Sequence, residues 1–272
     1  MNVVLAELEK LKRYGMVKAG FLVTILAALY AFAPAFANDG VRKTFPLVMN
    51  NLLESNCIYF FPAMIVLIGG CMTRREYIDD TLKNILTVPL TLRRLLLGKM
   101  VVLFFMTVGF SVLSFLLGIA FCFGARLPDA TLPFLAEWLV RIVAGNVLVF
   151  VAVLPLTIVA ALFVDSVYAC TAVGFVYGFF ASMESPILNY YPAKAVLILV
   201  DPQCGVGYDF VHYAAAPAAL TLLAVLLASV LLFAFLNPAR APHPLKTTKK
   251  SPGPKAGNDR MIRNVQEGDA AL

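Results

Sequence analysis

Six runs of apolar residues, separated by short polar breaks, occupy most of the chain between Ala19 and Leu236. They are Ala19 to Ala37, Ser55 to Thr73, Met100 to Phe123, Trp138 to Val164, Val167 to Met183 and Ala214 to Leu236, the fifth being the shortest. A helix of about 20 apolar residues crosses a bilayer core. With 61% hydrophobic and only 14% charged residues, and a mean hydropathy of +0.84, the 272 residues have too little polar surface to clothe a water-soluble globule. The ten-residue alternation of a membrane barrel is missing, so helices must satisfy the backbone in lipid. The expectation is an all-α, polytopic integral membrane protein with six transmembrane helices.

The basic residues orient it. Seventeen of the 22 Lys and Arg fall before the first run, between the second and third, or after the last. Cytoplasmic flanks are enriched in these residues, so both termini and the segment 74–99 are expected in the cytoplasm of a multi-pass plasma membrane protein. The net charge of +6 follows from the same flanks. Residues beside membrane spans meet anionic lipid head groups, and no nucleic acid is expected as partner.

Before the first run, Val4, Leu5, Leu8 and Leu11 share one side of a helix whose other side carries Glu7, Glu9, Lys10, Lys12 and Arg13. This reads as an amphipathic helix lying on the cytoplasmic interface over residues 1–18. Ala35, Phe36 and Ala37 have the look of a secretory cleavage site, but the long acidic helix ahead of them does not fit a signal layout. The expected membrane domain covers 19–236. Beyond it, a Pro- and Lys-rich stretch over 237–272 reads as a disordered basic tail.

The segment 74–99 holds the most informative polar sequence. Asp79 and Asp80 precede Leu82, Ile85 and Leu86 at helical spacing, Lys83 lies among them, and Pro89 ends the run. A helix this short cannot span, so its apolar side requires either a lipid surface or a protein groove. The order Glu76, Thr81, Lys83, Leu86, Pro89, Arg93, Lys99 resembles the cytoplasmic loop of six-span permeases of type-2 ABC exporters, with Asp80 where many members carry glycine. The resemblance implies a coupling helix seated on a separate ATP-binding subunit, with Glu76, Thr81, Leu82, Lys83, Ile85, Leu86 and Pro89 as docking residues. It also implies two permeases, as a homodimer or heterodimer, working with two ATPases that bind ATP and magnesium. The compact layout is most similar to permeases of lantibiotic immunity and bacitracin export, hence of antibiotic resistance. Apart from any resemblance, the chain lacks the G-x-x-x-x-G-K-[ST] phosphate loop, so ATP-driven transport would need a second polypeptide. An ion-coupled carrier or channel is the alternative, and it would require ionisable residues buried near the midplane.

Within the spans, Arg141 and Asn146 are candidates for a substrate path, with Glu137 one turn away to pair with Arg141. Gly174, Gly178 and Ser182 form a small-residue stripe that suits helix packing within the chain or at a dimer seam. The segment 184–213 combines Tyr190, Tyr191 and the short run Ala193 to Val200, and reads either as a re-entrant helix roofing the outer exit or as a packed loop. No catalytic or metal pattern is present: two His and five Cys show neither H-E-x-x-H nor C-x-x-C. A disulfide is open only to Cys57, Cys122 and Cys204.

Overall fold

The computed structural model describes residues 15–36, 44–78, 92–127, 131–163, 166–201, 203–205 and 210–235. The described elements are helical. In chain order they are α1 (Gly15–Phe32) with a 3-10 turn (Ala33–Phe36), and α2 (Phe45–Ser55) running through a π turn (Asn56–Phe60) into α3 (Phe61–Ile78). There follow α4 (Leu92–Gly124), α5 (Leu132–Phe163), α6 (Val167–Phe179) with a 3-10 turn (Phe180–Ser182), a 3-10 turn (Pro186–Tyr190), α7 (Pro192–Val200) and α8 (Ala215–Phe235). Residues 1–14 and 236–272, which hold most of the expected interfacial helix and all of the expected tail, lie outside the described residues.

Five helices among the described residues are long and apolar enough to cross a membrane: Gly15–Phe36, Phe45–Met72, Leu96–Gly124, Leu132–Ala160 and Ala215–Phe235. The second begins ten residues earlier than its hydropathy suggests. Asn50, Asn51, Glu54 and Asn56 interrupt the apolar run, yet they lie within one continuous helical rod, Phe45–Ile78. The fifth expected span is only the 13-residue α6 and its terminal turn. At 1.5 Å per residue α6 measures about 20 Å, too short for a core of about 30 Å. The segment after Ser182 folds back, and α7 inserts between α5, α8 and the π turn with Ala193, Lys194, Ala195, Val196 and Leu197 buried. Gly145, in the middle of α5, faces Val200 at the tip of α7.

Two local sequence choices shape the rod. At its start, Thr44 is extended and Pro46 sits in the first turn, where its missing N–H is no loss. In its middle the Phe61 amide reaches back to Asn56 O, an i to i−5 bond, and the next residue, Pro62, has no N–H to offer Ile58 O. The stripe on α6 packs against this break. A Cβ on Gly178 would lie 2.1 Å from Ile58 O and 2.9 Å from Pro62 Cγ, and one on Gly174 would meet Pro62 O and Val66 Cγ2, each at 3.0 Å. Ser182, the third small residue, donates to Phe179 O at 2.7 Å.

The turn from α4 to α5 is closed by a Schellman pair, Leu127 N to Cys122 O and Arg126 N to Phe123 O, both 3.0 Å. It places Arg126 at φ 52°, the left-handed position where glycine is usual. Aromatic pairs bind α1 to the rest: Phe21 with Phe110, Tyr30 with Tyr59, and Phe32 with Phe121. Cys57, Cys122 and Cys204, the three left open to a disulfide, are free thiols.

The close approach at Gly178 is testable against a glycine with space around it. Gly178→Ala must displace a backbone carbonyl and is expected to destabilise the chain by about 3 kcal/mol, the upper range for overpacking. Gly109→Ala on α4, with nothing within 4 Å of the added methyl, is expected to stabilise it by about 0.5–1 kcal/mol through helix propensity. Thermal unfolding in detergent of the two variants would show shifts of opposite sign.

Candidate functional site

At the end of the bundle where α3 leaves and α4 enters, the residues expected to dock a partner fall largely outside the described residues. Thr81, Leu82, Lys83, Ile85, Leu86 and Pro89 are among these, and Glu76 belongs to the last turn of α3. The base of the loop is described, and it contains a buried cation. Lys99, in the second turn of α4, is 2% exposed, and its Nζ donates to Met72 O of α3 at 3.0 Å. A buried ammonium requires such acceptors to offset its lost hydration. The bond ties α3 to α4 at the point where the chain goes out to the loop and returns.

The opposite end carries an ionic cluster. Lys194, on the first turn of α7, is 2% exposed and pairs with Glu184 Oε1 at 2.5 Å. The second oxygen of Glu184 accepts from Tyr213 Oη at 2.6 Å, and Lys194 lies over the Tyr213 ring, 5.2 Å from its centroid. Gly205 packs against the same ring, with φ at +80° and an added Cβ 2.8 Å from Tyr213 Cδ2. On the rod, Asn50 donates to Glu54 Oε1 at 2.9 Å, and Glu54 turns its carboxyl group toward that of Asp201, which ends α7 and accepts from Gln203 N at 2.8 Å. Burial, then the bond to Glu184 and its charge, push the Tyr213 phenol well above its ordinary range, so it remains a donor. Burial likewise raises the Cys204 thiol to about 11, with Lys194 working against the shift. Tyr191, also raised by burial, to about 12, donates to Tyr177 O, and Tyr177 Oη donates to Ala152 O at 3.0 Å. These bonds fasten segment 184–213 to α6 and α5.

Hydropathy and motif reading do not reveal this cluster, because Glu54, Glu184, Lys194 and Asp201 lie far apart in sequence and only the fold brings them to one end. A signal was available: Asn50 and Glu54 are one helical turn apart, and Lys194 is the one charge within an apolar helical run.

Arg141 and Asn146 are not brought together. Arg141 pairs with Glu137 at 2.5 Å and lies 5.3 Å over the Trp138 ring, on an accessible rim. Five residues on, Asn146 points elsewhere and is fully buried. An apolar groove of about 440 Å³ runs between α4, α5 and α8, lined by Met100, Phe104, Phe150, Leu154, Val230 and Phe233 among others. Among the described residues no group of three or more His, Cys, Asp or Glu is placed to hold a metal ion.

Two measurements check the cluster. Lys194→Met strands Glu184 and is expected to cost about 3–5 kcal/mol, whereas Lys194→Met combined with Glu184→Gln recovers part of the loss; denaturation of the single and double variants gives the coupling. The half-buried Cys204 should alkylate slowly at pH 8. Its rate should then rise about tenfold per pH unit until it levels off near pH 11, because only the thiolate reacts.

No curated protein sequence matches the chain. The sequence profile described as ABC-2 family transporter protein matches residues 3–181, from the start of the chain through α6 and its terminal turn. With most of the chain so matched, and with its apolar helices joined by a polar loop, this protein belongs to the ABC-2 family of transporters.

Proposed function

We propose that this chain is the membrane permease subunit of an ATP-driven exporter, powered by a separate ATP-binding subunit that docks on the cytoplasmic loop 74–99. Family membership supports the permease role. The observation that carries the mechanism is the buried bond from Lys99 to Met72. It makes the two helices flanking the loop a single lever at their base, so that a push on a docked loop helix moves α3 and α4 together and does not splay them. Glu76, Thr81, Leu82, Lys83, Ile85, Leu86 and Pro89 form the docking element, and ATP and magnesium belong to the partner. The substrate is amphipathic or lipid-associated, such as an antimicrobial peptide, which would make the protein an element of lantibiotic immunity or drug efflux. The apolar groove between α4, α5 and α8 supports that substrate class. Two copies, or one copy with a similar permease, complete the transporter, with both termini cytoplasmic.

The ionic cluster favours a second reading, a stand-alone ion-coupled carrier, since it supplies buried ionisable groups. Its pairing argues against this: Lys194 is already neutralised by Glu184 and so leaves an ion no vacant charge.

The test is co-purification from native membranes of the intact chain, of a variant with Leu82, Ile85 and Leu86 changed to Asp, and of Lys99→Met, each followed by an ATPase assay. The expected outcome is an ATPase bound to the intact chain and absent from the triple variant. With Lys99→Met the ATPase should remain bound, and vesicle transport should fall about tenfold or more. A well-folded intact chain that brings down no ATPase would remove the exporter reading and leave the carrier.

A further inference from the structure

Two amides in the core of the bundle are short of hydrogen-bond partners among the described residues. Asn146 of α5 is 0% exposed, and neither its Oδ1 nor its Nδ2 has a hydrogen-bond partner among the described residues. Asn56, the first residue of the π turn, is equally buried. Its Nδ2 donates to Ser114 Oγ of α4 at 3.0 Å, while its Oδ1 has no partner among the described residues. Buried polar groups bear the full cost of desolvation when left unpaired, and native interiors rarely leave them so.

Both amides lie on one seam. A Cβ on Gly145, the neighbour of Asn146, would lie 2.9 Å from Leu53 Cδ1 and 3.5 Å from Sγ of Cys57, the neighbour of Asn56. That contact sets the register of α5 against the rod. The direction is set at Gly69 of α3, where a Cβ would meet Thr157 Cγ2 of α5 at 2.4 Å and Leu103 Cδ2 of α4 at 3.2 Å. Asn146 lies three helical turns before Thr157 on the same face of α5, and Ser114 lies three turns beyond Leu103 on the same face of α4. Since α4 and α5 run in opposite directions, both steps lead toward the 184–213 end. Asn56, Ser114 and Asn146 therefore converge where the rod, α4 and α5 meet.

The chemistry of the seam selects the ligand. Thr107 and Ser111, buried on the same stretch of α4, spend their hydroxyl protons on Leu103 O and Thr107 O, and the acids whose charge reaches Cys57, Glu54 and Asp201, are engaged with Asn50, Gln203 N and each other. A cation would leave the Asn146 amide N–H unpaired, and an anion would meet two amide oxygens. A small neutral molecule that both donates and accepts matches two amide oxygens and one amide N–H. We propose that Asn56 and Asn146 hold a buried water between α2, α4 and α5, donating to the two Oδ1 atoms and accepting from Asn146 Nδ2, within the two to four partners that buried waters make. Beside the π turn, such a bridge joins the rod to α5 without a direct bond between them.

The experiment uses the full-length chain in lipid nanodiscs. Millisecond radiolytic hydroxyl labelling is expected to oxidise Cys57 despite its complete burial, and the label should drop severalfold in Asn146→Val. In thermal unfolding, Asn146→Val and Asn56→Val are each expected to lower Tm by about 4–8 °C, and the double variant by clearly less than the sum, because both lose the same bridge. The proposal is overturned by any of four outcomes: an unlabelled Cys57 in the native chain, labelling unchanged by Asn146→Val, a Tm that rises when the amide is removed, or additive losses. A sodium-dependent rise in Tm that disappears in Asn146→Val would equally overturn it, assigning the seam to a cation.

Discussion

The rod from Phe45 to Ile78 is the element on which the others rest, and its shape depends on one backbone carbonyl. Pro62 denies Ile58 O its helical donor, the helix widens to an i to i−5 bond at that level, and Gly178 brings α6 directly against the exposed oxygen. In lipid a freed carbonyl finds no water, so closely packed neighbours must shield it. Every other described helix except α8 packs on this rod. The π turn thus fixes how α6 lies, and through the Tyr191–Tyr177–Ala152 bonds it also fixes how segment 184–213 is anchored.

Buried lysines are rationed between the two ends of this frame. At one end, Lys99 caps a carbonyl of the neighbouring helix; at the other, Lys194, Glu184 and Tyr213 neutralise one another under the folded-back segment, with Glu54 and Asp201 alongside. In a medium of low dielectric an ion is stable only where its partner is already positioned. Charges inside this bundle therefore mark where helices must not separate, and the apolar surfaces between them are where helices remain free to slide.

Much of the fold was legible in the sequence, because in lipid hydropathy and helix are nearly the same statement. The first, third, fourth and last runs correspond to helices, and the i, i+4 spacing of Glu137 and Arg141 gave their ion pair. The second run was cut short because Asn50, Asn51 and Glu54 lower the local hydropathy, and only a tertiary partner such as Asp201 reveals that Glu54 faces inward. The shortness of α6 was visible in its length, whereas the sequence left a re-entrant helix and a packed loop equally open for Ala193 to Val200, because the seating of α7 depends on contacts from residues far away in sequence. The docking residues were read from a motif alone, a kind of signal that carries chemistry and no coordinates.

The shortness of α6 and the break between it and α7 have a mechanical consequence. A continuous helix carries an axial push from one face of a membrane to the other, as a strut does. Two short helices separated by a bend and linked by the Tyr191 hydroxyl on Tyr177 O carry none along a common axis. The pair Glu184 and Lys194 can therefore be pried loose at one surface while α6 stays seated on the rod, and a thrust delivered at the other surface reaches the far side by tilting the long helices alone.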